Sequence, residues 1–420
     1  MNFSDTIPTE WPKASIGKYC EVQLGKMLQN EPTSEKDELK PYLRAINIAK
    51  NGLDLSHQFS MWIKPQESER FRLRLGDILV SEGGDAGRTC VFTSNDEYYF
   101  QNAINRVRPQ RNEVICSEFI YYWFSFLKFS GYVEMVCNVA TIAHFTAEKV
   151  KAAPLALPPL DTQRRIAAFL DEKTARIDGL IAKKRELLER LAEKRQALIT
   201  QAVTKGLNPH APMKPSGIDW IGGIPAHWDL VPFKWRCRVQ SGQVDPKEES
   251  FALMPLVAPD HIESGTGRLF GVKSAEEQGA ISGKYLCPAG AVLYSKIRPA
   301  LRKVALHEGE CLCSADMYAI DPGIYYNRYF LFYFLLTDAF TSYAELESMR
   351  VAMPKVNREA LGAFPLPLPS LQEQKEIADY CSDVDQADKS SSETVSKSIE
   401  LLTEYRSALI TAAVTGQIEF

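Results

Sequence analysis

The segments RQALITQAVT (195–204) and RSALITAAVT (406–415) agree at eight of ten positions, at a constant offset of 211 residues. An amphipathic segment written twice at one spacing marks an internal repeat, and how far the repeat extends decides the fold. Without a gap, 154–204 lies on 365–415. Between PLALPPLDTQRRIA (154–167) and PLPLPSLQEQKEIA (365–378), Leu155, Leu157, Pro158, Leu160, Gln163, Ile166 and Ala167 recur as Leu366, Leu368, Pro369, Leu371, Gln374, Ile377 and Ala378. Upstream the echo is weaker but in order. IPTEW (7–11) returns as IPAHW (224–228), and Cys20, Val22, Gln23 and Gly25 return as Cys237, Val239, Gln240 and Gly242. GDILVS (76–81) returns as GAVLYS (290–295), and EFIYYWF (118–124) as YFLFYFL (329–335). The chain is a duplication in which each half has a divergent globular part, a proline-rich hinge and a long helix. The expected domains are 1–153 and 208–363, with hinge–helix segments at 154–207 and 364–420.

The globular parts are short runs of strand-like residues punctuated by Gly and Pro, such as RLRLGDILVSEGG, AGRTCVF and YLCPAGAVLYSKI, each followed by one aromatic helix. They read as α+β domains with a mainly antiparallel sheet. From Asp161 to about Lys205 there is no proline, Asp161 stands near an N-cap and Gly206 closes the other end. Leu170, Ile177, Ile181, Leu188, Leu191 and Leu198 recur at steps of three, four or seven, and Ile377, Cys381, Val384, Val395, Leu402, Tyr405 and Leu409 form the second stripe. Forty-odd helical residues span roughly 60 Å. Residues 154–207 carry 11 Lys+Arg against 7 Asp+Glu, and residues 364–420 carry 4 against 10. Opposite charge along apolar seams pairs the two helices with each other. Connectivity makes that pair antiparallel, a spacer with one globular part expected at each end.

Composition narrows the function. The two globular parts are nearly neutral, with 18 Lys+Arg against 19 Asp+Glu in 1–153 and 16 against 17 in 208–363. Nine cysteines without a CxxC pair fit reduced thiols in a cytoplasm rather than a disulfide framework. The greasiest runs, 119–129 and 329–336, fall short of the ~18–20 apolar residues of a membrane span. Two similar but divergent modules on one spacer suit a ligand with two unlike, spaced sites, and DNA is such a ligand.

This layout resembles the specificity subunit of Type I restriction–modification enzymes over nearly the whole chain. The segments that carry the resemblance are LPPLDTQRRIAAFLDEKTARID and LPLPSLQEQKEIADY, the helix ends ALITQAVTKGL and ALITAAVTGQI, SGIDWIGGIPAHW (216–228) and GDILVS. The resemblance implies two target recognition domains, each reading half of a bipartite asymmetric sequence in double-stranded DNA. It implies helices that set the spacing and dock two methyltransferase subunits, with restriction–translocase subunits joining that core. Catalysis, S-adenosylmethionine, ATP and Mg would then belong to the partners, with no cofactor in this chain. One departure stands out: the second helix has Cys381, Asp385 and a serine-rich middle where a tighter seam is usual.

No motif argues for an enzyme. The FxGxG and [ND]PP[YFW] motifs of an amino-methyltransferase do not occur, and the one Pro-Pro, in LPPL (157–160), is a stiff lead-in to the helix. GAISGKY (279–285) is one residue short of a phosphate loop, and Tyr285 replaces the required hydroxyl residue. Asp171 and Lys173 imitate part of a nuclease centre but sit on a helix, and Cys311 and Cys313 lack further ligands at zinc spacing. What remains is DNA contact, for which phosphates need cations and hydroxyls, and base edges need Arg, Lys, Asn, Gln and Ser. Corresponding loops supply Ser81, Gly83 and Arg88 in one half and Ser295, Lys296, Arg298 and Arg302 in the other. The next strand adds Gln101, Asn102 and Arg106 against Ser314, and YLRAINI adds Arg44 and Asn47. The competing readings are a coiled-coil adaptor for proteins alone and a self-sufficient nuclease or methyltransferase.

Overall fold

The computed structural model describes residues 7–49, 52–111, 113–137, 144–348 and 355–420. Its longest elements are the helices Leu160–Lys205 and Leu371–Val414. Each follows a proline-rich strand, Pro154–Ala156 or Pro365–Leu368. Each ends at a glycine in the left-handed region, Gly206 with φ 75° and Gly416 with φ 74°, a conformation that only a residue without Cβ adopts at little cost. Asp161 is not the cap. The Gln163 N–H already donates to the Pro159 carbonyl, so helical bonding starts two residues earlier and Asp161 lies in the first turn, where its charge favours the positive end of the helix.

The chain divides into two compact units, Met1–Arg185 with Ser396–Phe420, and Glu186–Val395. In the first, Cys20–Leu24, Ile104–Pro109, Ile78–Ser81 and Thr89–Val91 form an antiparallel sheet in that spatial order. A second sheet orders Phe59–Ile63, Glu38–Leu43 and Tyr99–Phe100, with the last pair parallel. Strand Ile78–Ser81 is buried along its whole length because both of its faces are covered. Ile78 and Val80 pack towards the aromatic helix Ser117–Phe129, and Leu79 joins the core of the second sheet.

The second unit repeats this plan. Arg238–Val239, Met317–Asp321, Val292–Ser295 and Val304–Leu306 are ordered like the first sheet of the first domain. Val292 and Tyr294 face the aromatic helix Arg328–Leu335, and Leu293 faces the other sheet. That other sheet has five strands, in the order Gln243–Val244, Lys284–Cys287, Cys311–Cys313, Pro255–Val257 and Lys273–Ser274. Its parallel pair, Pro255–Val257 with Cys311–Cys313, matches the parallel pair of the first domain. Lys284 heads a strand rather than a helix, and its ammonium donates to the Ser282 carbonyl and hydroxyl, so GAISGKY has none of the geometry of a phosphate loop.

The repeated ALIT segments now have a structural reason. Ile410, Ala413 and Val414 are buried in the core of the first unit with Phe119, Ile166 and Leu170. Ile199, Ala202 and Val203 are buried in the core of the second with Trp228, Phe330 and Ile377. Each helix end thus completes the domain of the other half, and a fully buried isoleucine there contributes about 1.5–3 kcal/mol. The closing glycine fits the repeated IPxxW motif. A Cβ at Gly416 would meet the Pro8 and Trp11 rings, and one at Gly206 would lie 3.4 Å from Trp228.

Within each unit the helix segments run antiparallel. Asp178 meets Arg406 and Phe169 meets Phe420 in the first, and Arg195 meets Asp385 in the second. Of the predicted seam, Leu170, Ile177, Ile181 and Ile377 are buried, while Leu188, Leu191, Leu198, Val384, Val395, Leu402 and Leu409 are half-buried. Tyr405 is a correction, because it is 58% exposed. The inward step from Leu402 falls on Arg406, which pairs with Asp178, so Tyr405 turns outward. All nine cysteines are free thiols. Burial pushes those of Cys20, Cys90, Cys237 and Cys381 up to about 12. Among the described residues, no helix is long and apolar enough to cross a membrane.

Candidate functional site

Each long helix is fastened to its own domain by one buried glutamine. Gln163 Nε2 donates to the Val114 and Pro158 carbonyls at 2.9 and 2.8 Å, and its Oε1 accepts from the Cys116 N–H at 2.9 Å. Gln374 repeats every bond at the same offset, with Tyr325 and Pro369 carbonyls at 2.9 and 3.0 Å and the Asn327 N–H at 2.8 Å. Two to three helical turns on, a tyrosine of the aromatic helix is tied down. The Tyr122 hydroxyl donates to Asp171 and lies 3.2 Å from the Thr174 hydroxyl, and Tyr333 donates to Asp385 at 3.0 Å. Burial first, and then the neighbouring carboxylate, raises the pKa of Tyr333, so it stays a neutral donor. Asp385 stands where the first half has Thr174, and it also accepts from Arg195 Nε at 2.5 Å. Cys381 stands where the first half has Leu170, and both are fully buried. The departure at Cys381 and Asp385 is therefore a polar packing solution, whereas beside the serine-rich middle a cavity of about 160 Å³ lies between Leu191, Leu198, Val384 and Ser391.

The domains hold the loops that follow the repeated GDILVS and GAVLYS strands in equivalent places. Ser81 and Ser295 are buried, and each hydroxyl donates to the carbonyl two residues on, Gly83 or Ile297. Arg88 donates to the Ala45 carbonyl at 2.9 Å, and its counterpart Lys303 to the Pro259 carbonyl at 2.6 Å. Both acceptors belong to short 3-10 turns, Ala45–Asn47 and Pro259–His261. In those turns the Asn47 Oδ1 accepts from the Arg44 N–H, as the His261 Nδ1 does from the Ala258 N–H.

These contacts correct part of the sequence reading. Asn47 is fully buried, and its amide donates to the Asp54 and His57 carbonyls. Arg106 is 1% exposed, held between Glu21 at 2.6 Å and the Arg70 and Arg72 carbonyls. Burial is the main influence lowering its pKa, and Glu21 and Asp77 oppose it. Asn47, Ser81, Arg106 and Ser295 therefore build the fold and are removed from the DNA-facing set, because their polar atoms are enclosed and already bonded. Arg88 is half-buried and serves the 3-10 turn, and Arg302 pairs with Asp338.

The rest of the set is accessible. Arg44 is exposed and stacks over the Phe59 ring at 4.8 Å, while Gly83, Gln101 and Asn102 are half-buried at the sheet end of the first domain. Lys296, over Tyr318 at 5.5 Å, and Ser314 are half-buried in the second. Arg298 is exposed, with φ 49°, and among the described residues no side-chain bond or ion pair holds it. Arg298 and Arg302 are the non-glycine residues with positive φ among those described. Such backbone costs of order 1–3 kcal/mol and gathers at functional sites. The carbonyl and side chain of Arg302 are engaged within the domain, which leaves Arg298 as the presented cation. Sequence reasoning missed the exposed Met27 and Leu28 beside Gln101. It also missed the helix-crossing arginines Arg195 and Arg406, although an arginine opens both copies of the repeat.

A model of the Type I restriction modification DNA specificity domain matches residues 8–190 and 260–401. The chain belongs to this family. Its function is recognition of a DNA target as the specificity subunit of a Type I restriction–modification system, and the family is one of recognition without catalysis. The chain is 28% identical over 389 residues to the Type I restriction enzyme EcoDI specificity subunit of Escherichia coli, covering 88% of this chain and 80% of that one. It is 23% identical to the MjaVIII specificity subunit of Methanocaldococcus jannaschii, covering 90% and 87%. Two solved structures share the fold. A chain from a study of complex assembly and conformational transition of the type I R-M system aligns over 98% of this chain and 99% of its own, with a TM-score of 0.71 and 18% identity. The HsdS subunit from Thermoanaerobacter tengcongensis aligns over 98% of each chain, with a TM-score of 0.52 and 17% identity.

Proposed function

We propose that this specificity subunit reads two unlike half-sites of one double-stranded DNA target, one with each domain, and that its helices set the gap between them. The observation that carries this reading is the duplicated scaffold with unlike loops: the glutamine anchors are repeated bond for bond, while the exposed Arg44 stands where the second domain has Ala258. Arg298, Lys296 and Ser314 would serve one half-site, and Arg44, Gly83, Gln101 and Asn102 the other. Phosphate contacts position the protein and base contacts specify the sequence. The near-neutral charge of both domains favours weak binding alone and tight binding once methyltransferase partners close around the duplex.

Two methyltransferase subunits would dock on the outward faces of the helices, where Leu180, Leu187, Leu401 and Tyr405 are exposed. Large apolar side chains in water along a helix mark a surface that a partner covers. S-adenosylmethionine would enter with those partners, and ATP and Mg with restriction–translocase subunits. The assembly would work in the cytoplasm, where its DNA lies and its thiols stay reduced. Deleting seven residues from either helix, about two turns, tests the spacer role. Mapping methylated positions in host DNA should show a changed gap or lost modification. An unchanged gap refutes the reading.

A further inference from the structure

In the second domain a glycine-containing turn fills a cleft beside the long helix, and in the first domain the equivalent cleft is open among the described residues. The turn follows the 3-10 segment Pro259–His261 and is bounded by the pair Ile262–Leu269, with six residues between them. Four groups grip it. Arg195 Nη1 donates to the Gly265 carbonyl at 3.1 Å, and the Gly265 N–H donates to the Arg302 carbonyl at 3.3 Å. Gly267 lies so close that an added Cβ would sit 2.5 Å from both the Phe332 ring and the Val304 carbonyl.

Strand register and the repeat offset give each of these groups a partner in the first domain. Ser81 bonds to Arg88 as Ser295 bonds to Lys303, which places Gly87 on Arg302 and Thr89 on Val304. The offset of the aromatic helices places Tyr121 on Phe332, and that of the long helices places Arg406 on Arg195. Gly87, Thr89, Tyr121 and Arg406 all line one cavity of about 310 Å³. At the equivalent place in the first domain Ala49 pairs with Gly52, where the second domain has the longer turn between Ile262 and Leu269. A volume near 300 Å³ lies at the lower end of ligand sites. Lys128, bonded to Asp85, and Arg185 extend the wall, so cations outnumber the carboxylates of Asp85 and Asp178 there.

We propose that this cavity of the first domain receives a tight, glycine-containing turn of a methyltransferase subunit. The turn would present a carbonyl or carboxylate to Arg406 and an N–H to the Gly87 carbonyl, as Gly265 does internally in the second domain. The proposal rests on the assembly reading above and adds an asymmetry to it: one half carries its own plug, and the other takes it from a partner. The occupied cleft of the second domain is the template for the occupant's backbone chemistry, and the excess of cations favours an acidic turn over a basic one.

Ala182 is exposed on the wall of this cavity. The test places p-benzoylphenylalanine at Ala182 in the full chain, assembled with its methyltransferase subunits and target duplex. Assembly is checked by sedimentation before irradiation. The expected product is a crosslink to a glycine-containing peptide of the methyltransferase. Assembly with no such product, or with a crosslink to DNA, overturns the cavity proposal and leaves the assembly reading standing; failure to assemble with the unsubstituted chain sinks both. As a second measurement, Ala182→Trp fills the cavity from an exposed helix position. It should leave the melting temperature of the free chain within a few degrees and weaken methyltransferase binding at least tenfold, and unchanged binding overturns the proposal.

Discussion

The two halves of this subunit share their joints and differ in their interiors. At the joints the likeness is atomic: Gln163 and Gln374 make the same three bonds to residues at the same offset. Between the sheets it is lost. By strand register, Arg106 of the first domain stands where the second has Ala319. Both are buried, but one anchors Glu21 and two carbonyls and the other is a methyl group in an apolar core. A joint must satisfy backbone groups whose positions the helix fixes, so few side chains suit it. An interior needs only to be filled and bonded, and unlike residues can do that while the loops above them diverge.

The comparison can be broken in four places. The largest effect belongs to Arg106→Ala, which empties a buried site and takes a donor from the Arg70 carbonyl, while the Arg72 carbonyl keeps Arg108 and Glu21 stays exposed. Emptying the site of a large, fully buried side chain costs about 3–5 kcal/mol. Urea unfolding should show that loss in the first domain, whereas Ala319→Gly should cost about 1 kcal/mol or less in the second. Next, Gln163→Leu and Gln374→Leu should each cost about 2–4 kcal/mol, because each orphans one N–H and leaves carbonyls unserved in a dry joint. The losses should agree within about 0.5 kcal/mol, and clearly unequal values would show that the joints are alike in geometry only.

Asp385→Thr installs the residue that the first half has at this position. It should cost about 1.5–3 kcal/mol through the lost bonds to Arg195 and Tyr333, the range for hydrogen bonds to a charged group. A neutral outcome would mean that Thr at 385 reaches Tyr333 as Thr174 reaches Tyr122. The smallest effect on folding, and the most direct on function, is expected of Arg298→Ala. Unfolding should not change, because among the described residues no side chain holds Arg298. Discrimination in one half-site should fall by about 1–3 kcal/mol if it reads a base, and binding to all sequences should weaken alike if it holds phosphate. No change in DNA binding by the assembled complex would remove it from the interface.

How far the sequence could be read follows from what repeats. The helices, their limits within a residue or two and the two sheet domains were legible, because apolar periodicity and the offset of 211 are properties of the chain alone, and the family was legible through the resemblance of its hinge–helix segments. The candidate contacts were legible only as a mixture. Asn47, Ser81, Arg106 and Ser295 have the composition of a DNA-binding loop, and only burial separates them from Arg298. Tyr405 fitted the apolar stripe by residue type and failed it by angle, since the inward position went to Arg406.

The sequence by itself determined a duplicated chain with two hinge–helix segments and two divergent sheet domains, because hydrophobic spacing and turn residues act over a few positions. Only the tertiary structure decided that each helix end completes the other half's core, that four polar candidates serve the fold, and that one cleft is plugged and its twin open. Those outcomes depend on which distant groups meet, and on whether a polar side chain finds its bonds inside the protein or is left to seek them outside.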